Sequence, residues 1–279
     1  MKNMKAAILL FFVSICMFSC YAPRYVYSPS TQNIPLLHKK NDLEFSGFYV
    51  GSINALKEKG NSINGFDLHG AWAVSNHFAV MLNESFRWEK NGGNDSFFPG
   101  DSSLLKYKRN FTEFGAGYFT PGAYNEKMQF QLFGGMAFGA SDISDDYISN
   151  GVHTDKYHNS NVTKIFIQPA VIYNLGKHFS TALASRFTEV IFTHIHTNYT
   201  PEELDNYILD SLKVSPVFFW EPAASYTFSF KKFPVKLRIQ GSISILLNHR
   251  FVEHRTGNLA VGIIADFAKK RIRRTSSKD

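Results

Sequence analysis

Alternation with a period of two, punctuated by turn residues, constrains this chain more than any other feature. In residues 235–246, Val235, Leu237, Ile239, Gly241, Ile243 and Ile245 alternate with Lys236, Arg238, Gln240, Ser242, Ser244 and Leu246. Successive side chains of an extended strand point to opposite faces, so this segment carries one apolar and one polar face. Residues 128–139 repeat the pattern, with Met128, Phe130, Leu132, Met136 and Phe138 opposed to Gln129, Gln131, Gly135, Ala137 and Gly139. A last strand sets Leu259, Val261, Ile263, Ala265 and Phe267 against Asn258, Ala260, Gly262, Ile264 and Asp266. Similar alternation over 43–53, 66–74, 78–88, 111–119, 165–173, 179–192 and 218–230 brings the expected total to about ten strands, with eight or twelve as the neighbouring counts. A short helix is expected only around Pro201 to Leu212.

The connections alternate in length. Short turns fall at Ser75-Asn76, 121–127, 175–177 and 231–234, and longer polar loops at 89–107, 141–161, 193–213 and 248–256, with a shorter member at 55–63. That layout predicts an all-β, antiparallel up-and-down barrel with two unlike ends. Where such a barrel crosses a membrane, the short turns face the periplasm and the long loops face outward.

A soluble barrel or sandwich also alternates, with its apolar face inward. Two features place the apolar rows outward instead. The opposite rows are rich in small residues, among them Ala71, Ala73, Gly115, Gly117, Gly135, Ala137, Ala182 and Ala184, which suits a crowded interior. Aromatic side chains also gather at strand ends, with Trp72, Tyr118, Tyr173 and Tyr226 toward the short turns and Trp88, Phe192, Phe218 and Trp220 toward the long loops, as in the two girdles at membrane interfaces. No stretch reaches 18 uncharged apolar residues, so the spans are made of strands.

The N-terminus carries Lys2 and Lys5, an apolar run from Ala6 to Ile15, and small Ser19 before Cys20, the layout of a secretory signal over residues 1–19. Met17-Phe18-Ser19-Cys20 resembles the lipobox of bacterial lipoproteins, and the resemblance implies that Cys20 becomes the acylated first residue. Residues 20–42, with Pro23, Pro29 and Pro35, read as an extended tether from that anchor to a barrel over 43–268. Cys16 lies in the signal, so no cysteine pair is left for a disulfide or thiolate metal site. Removing Lys2 and Lys5 lowers the formal charge from +7 to +5. Part of the excess sits in a basic tail over 269–279, where anionic lipid or an envelope polymer is the expected partner and nucleic acid is not.

Over residues 43–268 the pattern resembles the small outer-membrane β-barrel superfamily, and Ala260 to Phe267 resembles the last-strand signal read by the barrel-assembly machinery. The resemblance implies a Gram-negative outer membrane, a monomer, and both termini in the periplasm. Pro169 and Pro222 fall inside expected strands, where each must sit at a bulge or leave a ladder bond unmade. Glu84 falls on an apolar row, and a bulge near Asn83 is expected to turn it inward.

The inward rows collect Asp67, Glu113, Glu221 and Asp266 with Arg87, Lys164, Arg186, Lys236 and Arg238. Charges of both signs in a narrow bore predict an ion-paired, hydrogen-bonded plug. The expected role is structural or binding, through loops that recognise an external ligand, with a small-solute channel as the alternative. A hydrolase or acyltransferase is the third reading, for which His194, Asp210 and Ser215 are available near one long loop, although neither Gly-x-Ser-x-Gly nor His-Glu-x-x-His occurs. No catalytic, cofactor-binding or metal-ligating set is assigned. His153, His158, His196, His249 and His254 read as ordinary loop histidines, and Asp142, Asp145 and Asp146 as a solvated acidic loop.

Overall fold

The computed structural model describes residues 24–267 apart from 52–61, 94–101, 121–126, 150, 177, 231, 232, 234 and 249–251. Cys20, His249 and the basic tail lie outside the described residues. The strands are β1 (Leu43–Gly51), β2 (Ser62–Ala73), β3 (Phe78–Gly93), β4 (Ser102–Phe119), β5 (Met128–Ser149), β6 (Val152–Asn174), β7 (Phe179–Thr197), β8 (Val217–Ser229), β9 (Val235–Ile243), β10 (Ile245–Leu246) and β11 (Gly257–Asp266). Between β7 and β8 lie a short helix α1 (Pro201–Asn206) and a 3-10 turn (Asp210–Lys213), within the stretch expected to be helical.

Strands β1 to β9 pair antiparallel in chain order, β9 pairs with β11, and β11 pairs with β1. Ten strands therefore close into a ring. The two-residue β10 pairs with β8 alone, outside the ring. Its pairing Ile245↔Trp220 keeps the offset of Ala223↔Ser242, so it prolongs β9 past an interruption. That interruption faces Pro222 and Glu221, and a proline has no N–H to give to a neighbouring strand. Pro169 acts alike: β6 and β7 pair at Ile167↔Phe187 and Ala170↔Ala184 with one offset, and the rungs between are missing. Both prolines leave rungs unmade and neither forms a bulge.

The one register shift in the β6–β7 pair lies between Asn159↔His196 and Asn161↔Thr193, where β7 carries an extra residue. His194 there adopts φ +48°, the left-handed backbone that accommodates such an insertion. By contrast, pairing runs unbroken through Asn83 and Glu84 on both sides of β3. The bulge expected near Asn83 is absent. Asn83 points into the barrel, and Glu84 stays half-buried on the outward row between Leu68 and Thr112.

The outward rows form a continuous apolar belt. Phe66, Leu68 and Trp72 on β2, Phe130, Leu132 and Phe138 on β5, and Leu237, Ile239 and Ile243 on β9 are all exposed. Trp88, Phe218 and Trp220 are exposed at the long-loop edge of this belt, but Phe192 is buried inside the barrel and belongs to no girdle. Trp220 donates its indole N–H to Ser185 Oγ at 2.7 Å, so its polar atom is satisfied on the apolar face.

Several segments expected to be loops are strands. The 23 residues of β6 extend about 75 Å and, at a tilt near 40°, rise about 57 Å, over twice the apolar band of about 25 Å typical of membrane barrels. The excess of β3 to β7 projects at the long-loop end, where the outward faces are mostly polar and the inward faces mix polar groups with a small buried cluster of Leu105, Tyr107 and Ile143. The outward apolar row is lost there while backbone pairing continues, as in Asp142↔Asn159 and Asp145↔Lys156. Asp142, Asp145 and Asp146 are thus strand residues.

Small residues in the wall mark close approach. A Cβ on Gly135 would lie 2.1 Å from the Phe114 carbonyl oxygen and 2.8 Å from Phe166 Cζ, whereas one on Gly134 would meet nothing nearer than 3.5 Å. Gly135→Val is expected to cost about 1–3 kcal/mol from overpacking, and Gly134→Val less than about 0.5 kcal/mol. Urea unfolding of the detergent-solubilised protein, followed by tryptophan fluorescence, measures the difference.

Candidate functional site

Residues 24–37 do not run outside the barrel as a tether. Apart from half-buried Tyr25 and Leu36 they are buried, and they thread the bore from the long-loop end to the short-turn end. At the first end, the Val26 N–H donates to the Glu253 carbonyl at 2.9 Å, and the Arg255 N–H to the Tyr27 carbonyl at 2.9 Å. At the other, the Lys40 N–H donates to Asn76 Oδ1 at 2.9 Å and the Asn41 N–H to the Ala73 carbonyl at 2.8 Å, both beside the β2–β3 turn. β1 then starts at the short-turn end and β11 finishes there. The described chain therefore begins and ends at opposite mouths of the barrel, which departs from the expectation that both termini share the short-turn side.

A segment threaded alone through a bore has no neighbouring strand to satisfy its peptide groups, and each buried unsatisfied group is costly. Wall side chains take the place of that neighbour. Asp67 accepts from the Thr31 N–H at 2.8 Å and Glu44 from the Leu36 N–H at 3.0 Å. Carbonyl oxygens of Asn33, Ile34, Pro35 and Leu37 accept from Gln168 (2.8 Å), Arg238 (2.9 Å), Gln131 (2.5 Å) and Gln129 (2.5 Å). Asn258 Nδ2 donates to the Pro29 carbonyl at 2.9 Å. Pro29 and Pro35 suit such a path because they remove donors that would need partners. Ile34 packs against Ala170, Ile172, Ala182 and Ala184, and Leu37 against a cluster that includes Ala71, Ala73, Phe133 and Phe166. The small wall residues thus make room for a threaded strand.

Of the nine charged residues expected inside, eight are buried and Asp266 is half-buried. Arg87 reaches both oxygens of Asp67 at 2.5 and 2.8 Å, and Arg186 bonds Glu113 at 3.0 Å. Lys236 lies 3.9 Å from Asp266. Glu221 accepts from the Tyr27 hydroxyl (2.8 Å) and the Thr188 hydroxyl (2.7 Å). Lys164 has no hydrogen-bond acceptor among the described residues. It sits 3.6 Å from the centroid of the Phe111 ring and 5.0 Å from that of Tyr27, as a cation over two π-faces. Arg238 forms no ion pair with a carboxylate among the described residues and holds Thr227 and the threaded backbone instead.

A second charged group nearer the long-loop end escaped sequence reasoning, because its strands read as loops. Glu89 lies between Arg109 (3.0 Å) and Arg255 (3.1 Å), and Arg24 bonds Asp145 at 2.6 Å. Asp145 also accepts from the hydroxyls of Ser103 (2.5 Å) and Tyr199 (2.8 Å). Leu209, Leu212, Val217 and Phe192 pack on Val26 and Tyr27 and roof this end. On α1, Glu203 completes a capping box with Thr200. Burial pushes the Glu203 carboxyl pKa up, but hydrogen bonds from Lys156 and Thr200 outweigh it and hold the pKa below the ordinary value.

His194, Asp210 and Ser215 share no hydrogen bond among the described residues, with His194 and Asp210 exposed and Ser215 half-buried. No group of three or more His, Cys, Asp or Glu side chains among the described residues is placed to hold a metal ion.

No protein-family model and no curated protein matches the sequence. Solved structures similar in shape include the outer membrane protease OmpT from Escherichia coli, at 9% identity and a TM-score of 0.43, covering 82% of this chain and 94% of that one. The outer membrane protein OprG from Pseudomonas aeruginosa is 12% identical with a TM-score of 0.39, covering 82% and 97%. An outer membrane channel from Pseudomonas putida F1 is 11% identical with a TM-score of 0.37, covering 85% and 100%. At these identities and scores none of their properties carries over.

Removing one partner of a buried ion pair strands the other charge. Asp67→Asn is expected to destabilise the barrel by about 3–5 kcal/mol, and the double change Asp67→Asn with Arg87→Met to recover much of that loss. Unfolding midpoints of the three proteins in detergent test it.

Proposed function

We propose that this chain is an outer-membrane β-barrel whose bore is sealed by its own segment 24–37, and that it serves a structural or binding role at its long-loop end. The observation that carries the sealed reading is the burial of Ile34, Leu37, Thr31, Gln32 and Asn33 between the walls. The membrane reading rests on the encircling belt of exposed Phe, Leu, Ile, Val and Trp, since soluble monomers seldom expose apolar patches beyond a few hundred Å². On β6 the belt runs from Ile165 to Tyr173, the nine or so residues a tilted strand needs to cross hydrocarbon.

This favours a plugged barrel over a channel. Wild-type protein in a planar bilayer is expected to show no stepwise conductance, and a variant lacking residues 24–37 to conduct. Equal conductance by both proteins would refute the seal. The hydrolase reading has less behind it, because His194, Asp210 and Ser215 are not gathered into one site.

Long loops of outer-membrane barrels face the exterior, which puts Arg24 on the outer side. Cys20 is four residues upstream, within about 14 Å of extended chain. An acyl group on Cys20 would then enter the outer leaflet, not the periplasmic one that a short-turn-side anchor implies. An epitope inserted between Tyr21 and Ala22 is expected to bind antibody on intact cells. Binding only after the outer membrane is breached would overturn this orientation.

A further inference from the structure

On the outer surface of β2 to β6, just above the belt, two adjacent cross-strand rows carry most of the unpaired charge of that face. One row reads Ser62, Lys90, Lys106, Ser144, Tyr157, and the other Asn64, Trp88, Lys108, Asp142, Asn159. Together they line a groove of about 520 Å³. Lys90 and Lys106 are directly opposite one another and exposed, and like charges so placed repel. Lys108 adds a third cation on the same face, two residues along β4. None of the three forms an ion pair or hydrogen bond among the described residues. Asp142, opposite Lys108, is the one carboxylate in these rows.

Below the groove the next row reads Phe66, Phe86, Asn110, Ala140, Asn161, aromatic on β2 and β3 and polar or small on β4 to β6. Phe66 and Phe86 are opposite one another in the next row down, and Phe86 and Trp88 stack with ring centroids 6.2 Å apart. Three cations without a side-chain partner among the described residues therefore share one face, with aromatic rings leading down toward the belt on the β2–β3 side of the groove. A ligand matching both halves has an anionic, phosphate-bearing head and acyl chains.

We propose that this groove binds the phosphorylated headgroup of an outer-leaflet lipid, with Lys90, Lys106 and Lys108 holding the phosphate and the acyl chains lying along Phe66 and Phe86. The proposal rests on the membrane reading above. Cations near an anionic membrane surface act over about a Debye length, so binding weakens as salt is raised.

The test uses the full chain in dodecyl maltoside, with tryptophan fluorescence titrated by diphosphoryl lipid A, by phosphatidylcholine and by inorganic phosphate. Lipid A is expected to bind saturably and at least about tenfold more tightly than either other probe. K90Q/K106Q/K108Q is expected to lose about tenfold or more in affinity for it, and K106Q alone a fewfold. D142N, which removes the opposing carboxylate, is expected to bind more tightly. Each variant is also run unheated on a gel, where faster migration reports a closed barrel. Should the triple variant fail to close, K106Q and D142N decide between them. Unchanged affinity in closed variants, equal binding of phosphatidylcholine, or equal binding of inorganic phosphate would each overturn the lipid site. A wild-type chain that stays soluble and folded without detergent would overturn the membrane reading itself.

Discussion

Closure of the ring at the β1–β11 seam is the constraint on which the rest depends. Eight paired positions, from Glu44↔Asp266 to Gly51↔Leu259, join the ends of the sheet and leave it no free edge. An apolar outer face can then meet hydrocarbon without exposing backbone polar groups. Closure also encloses a space too roomy for the small inward residues to fill. The chain fills it with residues 24–37, and because that segment lacks a strand partner, the wall must supply amide and charged side chains at heights matched to its peptide groups.

The bore is chemically graded as a result. Toward the short turns, Ile34 and Leu37 sit among alanines and phenylalanines, and Gln129, Gln131 and Gln168 hold the backbone together with Arg238 and Glu44. Toward the long loops, guanidinium and carboxylate groups predominate, with Arg255 3.9 Å from the centroid of the Tyr25 ring and Arg24 3.6 Å from that of Tyr207. Buried ions demand partners with good geometry. Bidentate Arg87–Asp67 and the Arg109–Glu89–Arg255 trio provide them, and Lys164 relies on aromatic faces instead.

Strand count, closure and the outward direction of the greasy rows were legible in the sequence because period two survives wherever one face is apolar. Strand length was not, since β4 to β6 continue past the belt with mostly polar outward faces and lose the outward apolar row that marks a strand. The inward charged set was readable from parity alone, which holds for Asp67, Arg87, Glu113, Arg186 and their neighbours without knowledge of pairing. The threaded segment was misread for a physical reason: prolines and small polar residues suit a solvated linker and a donor-poor strand alike. A usable signal existed in Tyr25, Val26, Tyr27, Ile34, Leu36 and Leu37, which are costly to leave in water.

Threading also imposes an order of assembly. A segment encircled by a sealed ring cannot slip in sideways once the seam has zipped. Either the wall curls around it while β1 and β11 are still apart, or its leading end passes lengthwise through the finished hoop. In the first route the segment is a mandrel: Gln168, Arg238 and Asp67 grip it from different staves and draw them toward a common axis. The last cross-strand bonds to form would then be those that trap it.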